Sequence, residues 1–235
     1  MAVYDTIILD IEGTVCSISF VKNVLFPYFL DKLPFLLEQV EFPLDHTDNV
    51  TVTQILAKFP ERYTKSKECL KTYINELVAN DIKDPTLKQL QGIVWQAGYE
   101  EGEIVVDLYN DVIEALDRWK KEDKSVYIYS SGSIKAQKLL FSHVKFKSET
   151  RDLTNYIKGY YDPTSVGSKI ESESYLNILK DLNKDPESAI FLSDNIKEVA
   201  ASIRAGIKSL VVKRPGNTVH HDNQSFDFVY SFDNV

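Results

Sequence analysis

Five consecutive residues, Asp10-Ile11-Glu12-Gly13-Thr14, put two carboxylates, a glycine and a hydroxyl into one short stretch. They follow directly on Thr6-Ile7-Ile8-Leu9, which reads as a buried strand because β-branched and apolar residues run there without polar interruption. Strands of open α/β folds end at the edge where ligands bind. Asp10 and Glu12, one residue apart, would be delivered to such an edge, and Gly13 would let the backbone turn sharply beyond them. This set suits holding a divalent metal and doing covalent chemistry on an anion. The same residue types also make ordinary turns after strands, so the choice depends on what other segments add.

Three more stretches lie at expected strand ends. Ser130-Ser131-Gly132-Ser133 follows the apolar run 125–129 and precedes a helical pattern. Hydroxyls and free amides at a helix start can hold an anion, or can serve only as an N-cap. Lys169, just before a helical pattern, could reach a phosphate or a nucleophilic carboxylate, or could be a solvated surface charge. Asp194, in Ser193-Asp194-Asn195 after Phe191-Leu192, could be a second metal ligand beside Asp10, or a helix N-cap, with Glu198 one turn further on.

The elements that must position these residues alternate. Strands are expected at 125–129, 159–161, 188–192 and 209–213, with helices at 134–143, 171–182 and 196–205, the last ended by Gly206. Alternation of this kind implies a doubly wound, Rossmann-like parallel sheet with helices on both faces. Between the first strand and this pattern lie about a hundred residues of helical character. These include 20–40, interrupted by Pro27 and Pro34; 51–59; 66–79; a helix starting at Pro85; and 104–121, with Val105, Leu108, Val112, Leu116 and Trp119 at helical spacing. The insertion reads as a helical cap domain, 17–104, within an α/β core of 1–16 and 105–235. Residues 144–158 are polar and read as a loop.

The chain's 235 residues suit one large domain or a core with an insertion. Its 27 basic and 35 acidic residues give a formal charge of -8, which argues against nucleic acid or an anionic membrane as partner. An anion site must then be made locally, by a metal, a lysine or helix ends. Cys16 and Cys69 give neither a disulfide framework nor metal-finger spacing. No basic and apolar signal segment opens the chain, and no apolar run approaches about 18 residues. The expected setting is the cytoplasm, with the nucleus left open, and the expected state a monomer. His220 and His221 have no metal-site spacing and read as loop residues.

Taken together, the four strand ends supply an acid nucleophile, hydroxyls, a lysine and a second acid in chain order. That order resembles the haloacid-dehalogenase superfamily over the whole chain. Its phosphatases usually carry Asp two residues after the nucleophile, where this chain has Glu12. With Phe20-Val21-Lys22, Leu25-Phe26-Pro27-Tyr28, Leu87-Lys88-Gln89-Leu90-Gln91-Gly92, Tyr127-Ile128-Tyr129-Ser130-Ser131-Gly132-Ser133, Ala136-Gln137-Lys138-Leu139-Leu140-Phe141 and Glu171-Ser172-Glu173-Ser174-Tyr175, this departure resembles the enolase-phosphatases, or acireductone synthases, of methionine salvage.

The resemblance implies a small-molecule phosphate ester as substrate, 2,3-diketo-5-methylthiopentyl 1-phosphate, which is enolised and then dephosphorylated. It implies one Mg²⁺ per subunit, held by Asp10, Asp194 and the carbonyl of Glu12. Asp10 is then the nucleophile, Glu12 the acid and base, and Ser130, Ser131 and Lys169 the phosphate binders. Glu12 and cap residues are candidate bases for the enolisation. Gln89 and Gln91 are candidates for shaping the cap pocket, whereas Trp95 reads as helix packing. The competing readings are another capped magnesium-dependent phosphatase and an inactive phosphate-binding regulatory module.

Overall fold

Thr6, Ile7, Ile8 and Leu9 form strand β1 (Thr6–Leu9), buried at every position, as an uninterrupted apolar run requires. The chain then runs through helices α1 (Phe26–Glu38), α2 (Thr51–Leu56), α3 (Lys67–Ala79) and α4 (Pro85–Glu100). α/β alternation follows, with α5 (Asn110–Lys121), β2 (Ser125–Tyr129), α6 (Ile134–Ser142), β3 (Val144–Phe146), β4 (Glu149–Arg151), β5 (Ile157–Tyr161) and α7 (Pro163–Val166). The last elements are α8 (Ser172–Leu182), β6 (Ala189–Ser193), α9 (Ile196–Arg204), β7 (Lys208–Val212) and β8 (Phe228–Val229). The computed structural model describes residues 4–44, 50–217 and 226–235. His220 and His221 lie outside the described residues.

Six strands form one sheet in the order β5-β2-β1-β6-β7-β8, and each neighbouring pair is parallel. From β1 the chain steps outward to β2 and β5, then returns to the other side of β1 at β6. The winding direction therefore reverses beside β1. In open sheets that reversal leaves a crevice at the carboxyl ends of the two central strands, where ligands bind. The register puts Leu9 beside Ile128 on one side and Leu192 on the other, so the residues after all three strands emerge at one level.

Both faces of the sheet are covered. Ile8, Tyr129, Phe191 and Val211 share one buried cluster with Tyr175, Ile178, Leu179 and Val199 of α8 and α9. Ile7 and Leu9 point to the opposite face by strand alternation and are also fully buried. α5 packs against β2 and α6 against β5.

By its contacts the chain divides into two compact units, Met1–Phe20 with Val105–Val235, and Val21–Ile104. The second unit is helical and has its own core, in which Phe29, Leu33 and Leu37 of α1 meet Leu56, Leu70, Ile74 and Leu90. Ser66 caps α3 and Asp84 caps α4, with Pro85 in the first turn, where a missing N–H costs nothing. Pro27 is likewise in the first turn of α1, whereas Pro34 lies inside that helix. No helix among the described residues is long and apolar enough to cross a membrane.

Two expectations from local pattern are corrected. The helix expected over 104–121 begins only at Asn110. Before it, Val106 bridges to Val144 and Leu108 to Cys16, so these apolar residues are buried by strand-like pairing. The loop expected over 144–158 contains the antiparallel hairpin β3–β4 and a 3₁₀ turn, Thr154–Tyr156.

Candidate active site

The turn after β1 is tightly closed. Thr14, Val15 and Cys16 all donate backbone hydrogen bonds to the carbonyl of Ile11, and Gly13 donates to Cys16. Gly13 has φ +73°, a left-handed conformation that glycine adopts without steric cost. Tyr109 N donates to the Val15 carbonyl at 3.0 Å, so the returning chain braces this turn from outside. The turn holds Asp10 buried and Glu12 half-buried.

Lys169 comes from the segment between α7 and α8 and is only 7% exposed. Its ammonium donates to Asp10 Oδ1 at 2.5 Å and pairs with Glu198 Oε2 at 2.7 Å. The segment is fixed on both sides, because Tyr129 Oη donates to the Gly167 carbonyl at 2.7 Å and Tyr175 Oη to the Lys169 carbonyl at 2.8 Å. Burial alone would lower the lysine, but Asp10 and Glu198 outweigh it and hold the ammonium above its ordinary value. Lys169 is therefore a buried cation between two acids and not a solvated surface charge.

Asp194 follows β6, beside the end of β1. Its backbone N–H donates to Thr14 Oγ1 at 3.1 Å, and Thr14 Oγ1 lies 3.5 Å from Asp10 Oδ2, so one hydroxyl touches both strand ends. The capping role expected as an alternative for Asp194 falls to Asn195, whose side chain accepts from Lys197 N at 3.0 Å. This leaves the Asp194 carboxylate directed away from capping. Burial, then the charges of Asp10 and Glu198, push that carboxyl up to about 7. Glu198 is also raised, by burial and by Asp10, against Lys169 and a 2.8 Å hydrogen bond from Ser193 Oγ. Two carboxylates thus flank one ammonium, with the Asp194 carboxyl close enough to feel all three charges, and the site is short of positive charge.

Asp10, Lys169 and Asp194 come together in this way, joined by Glu198, which the sequence marked only by its position one turn after Asp194. Ser130 and Ser131 sit one strand over, after β2. Ser130 is buried and Ser131 exposed, and among the described residues no hydrogen bond joins either to Asp10. The Ser130 carbonyl accepts from Gln137 Nε2 at 3.4 Å, and Gly132 N reaches Ser130 Oγ at 3.4 Å. The cap of α6 is Ser133, which accepts from Ala136 N. Cys16 is a buried free thiol raised by burial and then by Glu12 and Asp10, so it offers no thiolate.

The other residues singled out by sequence lie in the helical unit. Gln89 is exposed and accepts from Lys58 Nζ at 2.9 Å. Gln91 is buried, and its Nε2 has no hydrogen-bond partner among the described residues. Trp95 packs on the helical core and donates to the Leu25 carbonyl at 2.9 Å.

A family model described as haloacid dehalogenase-like hydrolase matches residues 4–206. Enolase-phosphatase E1 of Debaryomyces hansenii is 51% identical over 233 residues, which is 97% of this chain and 94% of that protein. Enolase-phosphatase E1 of Candida tropicalis is 48% identical over 238 residues, 98% of each. The crystal structure of the UTR4 protein of Saccharomyces cerevisiae matches with a TM-score of 0.85 at 44% identity, over 99% of this chain and 100% of that one. The chain belongs to the haloacid dehalogenase-like hydrolases and, within them, to the enolase-phosphatases.

Proposed function

We propose that Asp10 is the nucleophile, and Glu12 the general acid and base, of the enolase-phosphatase reaction. That reaction converts 2,3-diketo-5-methylthiopentyl 1-phosphate to an acireductone and inorganic phosphate, in methionine salvage. Identity to enolase-phosphatases over nearly the full chain supports the activity. The residue assignment rests on one observation, the buried array in which Lys169 joins Asp10 to Glu198 with Asp194 alongside. In this reading 17–104 is the inserted cap domain, and the enzyme is a cytoplasmic monomer.

The donor set fits Mg²⁺. Among the described residues no three His, Cys, Asp or Glu side chains converge as a metal site. In this reading the ligands would be the carboxylates of Asp10 and Asp194 with the Glu12 backbone carbonyl, the set that the resemblance to the enolase-phosphatases implies. Such sparse protein ligation suits an ion that keeps several of its waters. The excess of carboxylate over ammonium also gives a cation something to neutralise. When bound, Mg²⁺ supplies positive charge against a repulsion between phosphate and carboxylate of roughly 4 kcal/mol at about 4 Å and an effective dielectric near 20.

The protein's own groups carry the steps. Asp10 attacks phosphorus, forming an acyl-phosphate as the P–O ester bond breaks. Glu12 gives its proton to the leaving oxygen. The resulting Glu12 carboxylate then takes a proton from the water that attacks the acyl-phosphate, releasing phosphate and freeing Asp10. Lys169, Ser130 and Ser131 hold the phosphoryl oxygens as their charge shifts in the transition state.

The test is a product assay with the diketo phosphate, with and without Mg²⁺, following the enol chromophore and free phosphate separately. Both products should form, and Asp10→Asn should abolish phosphate release while the fold persists. If the diketo phosphate is ignored while other phosphate esters are hydrolysed, the substrate assignment fails.

A further inference from the structure

The segment after β7 holds the turn that carries Asp10 and Glu12. Arg214 is only 8% exposed. Its guanidinium pairs bidentately with Asp111, Nη1 to Oδ1 at 3.0 Å and Nη2 to Oδ2 at 2.8 Å. It also lies against the rings of Tyr109 and Phe232, at 4.5 and 4.7 Å from their centroids. Asp111 is itself fixed by the Phe232 N–H at 2.7 Å. The planar fork is thus held along one edge and against two rings, which leaves one orientation for its Nε–H. That N–H donates to the Thr14 carbonyl at 3.1 Å. Three residues on, Asn217 Nδ2 donates to the Gly13 carbonyl at 2.8 Å. Two consecutive carbonyls of the turn are therefore gripped by side chains of one segment.

The grip matters because of what Thr14 does next. Its hydroxyl accepts from Asp194 N and points at Asp10 Oδ2. Thr14 is fully buried, and its side chain has no other anchor among the described hydrogen bonds. A threonine hydroxyl is only two bonds from Cα, so its position follows the backbone closely. Fixing the Thr14 carbonyl therefore fixes the spacing between the ends of β1 and β6.

We propose that Arg214 is a positioning residue for phosphoryl transfer, acting through Thr14 to hold Asp10 and Asp194 in mutual register. This rests on the assignment of Asp10 and Asp194 given above. Asp111 and the two rings orient Arg214, and Arg214 orients the turn. A lysine in its place would keep the charge beside Asp111 but lose the fork and the Nε–H.

The test is a double-mutant cycle on kcat with Mg²⁺ and the diketo phosphate, using Arg214→Lys and Thr14→Val. Each single variant should lower kcat by about 10- to 100-fold with KM changed less than about threefold, a size expected of displacements near 1 Å at reacting groups. The double variant should be about as slow as the worse single, because both changes break one linkage. The proposal is overturned if the two factors multiply. It is equally overturned if Arg214→Lys lowers Tm while leaving kcat within twofold, since the residue would then be structural only. If Arg214→Lys does not fold, Asp111→Asn, which loosens the same clamp, takes its place in the cycle under the same criteria. Asp10→Asn is run alongside. Retained phosphate release there would sink the nucleophile assignment, whereas its loss combined with multiplying factors would sink the Arg214 inference alone.

Discussion

Gly13→Ala tests how closely the turn after β1 approaches Asp194. A Cβ built on Gly13 would lie 2.6 Å from Asp194 Oδ2 and 2.7 Å from its Cγ. Ordinary contact begins near 3.4 Å, so the carboxylate must retreat by 3.4 − 2.6 = 0.8 Å. It cannot do so freely, because the side chain is short and its backbone N–H is tied to Thr14. The displacement therefore passes into the proposed metal-binding oxygens. Misplacement near 1 Å costs on the order of 10²-fold in rate. The left-handed backbone adds a stability cost of about 1–2 kcal/mol for an alanine. At roughly 2–4 °C per kcal/mol for a chain of this size, Tm should fall by about 2–8 °C. Gly102→Ala separates the two effects, because Gly102 has φ +74° and nothing within 4 Å of a built Cβ. By thermal melting Gly102→Ala should show the backbone cost alone, and Gly13→Ala at least that much. Only Gly13→Ala should lose about 10- to 100-fold in kcat and need more Mg²⁺ for half-maximal rate. A Gly13→Ala enzyme within threefold of wild type, with unchanged Mg²⁺ dependence, would refute the placement of Asp194 at the site.

Two further predictions concern stability. Lys169→Met leaves Asp10 and Glu198 buried without their shared cation. Removing one partner of a buried ion pair costs about 3–5 kcal/mol, so denaturant unfolding should show a loss of that order, and a loss under about 1 kcal/mol would contradict the array. Asp162→Ala removes a carboxylate that accepts from Thr164 N, Ser165 N and Ile134 N, at a cost of about 1–2 kcal/mol near neutral pH. Burial pushes the Asp162 carboxyl up, but these hydrogen bonds and that of the Thr164 hydroxyl outweigh it and hold it below its ordinary value. A depressed carboxylate stabilises the fold above its unfolded pKa and loses that contribution as pH falls through the folded one. The difference between wild type and Asp162→Ala should therefore be full at pH 7 and shrink below about pH 4; a difference that grows on acidification would contradict the reasoning.

What sequence could reveal followed how local each signal was. β1 and the acids after it are contiguous, so the apolar run and its polar end were readable together. Asp194 and Asn195 are both good capping residues, and only the folded geometry assigns the cap to Asn195. The hairpin β3–β4 was hidden because its two-residue turn, Lys147-Ser148, carries neither glycine nor asparagine, although Lys147 adopts φ +56°. Val106 and Leu108 imitate helical spacing with α5, yet they are buried by bridges to Val144 and Cys16, remote in sequence. Arg214 looks like a surface charge before Pro215-Gly216. Its burial needs Tyr109 and Asp111, about a hundred residues earlier, and Phe232.

The central claim is that phosphate passes through Asp10. The most direct measurement is rapid quenching of the enzyme with the diketo phosphate and Mg²⁺, followed by borohydride reduction and peptide mass spectrometry. Glu12→Gln, which in this mechanism slows both formation and hydrolysis of the intermediate, serves alongside wild type. An acyl-phosphate on Asp10 would be reduced to homoserine, so homoserine at position 10 that requires substrate is the predicted result. Phosphate release at an undiminished rate from an Asp10→Asn enzyme, with no modification at position 10 in wild type or Glu12→Gln, would contradict it.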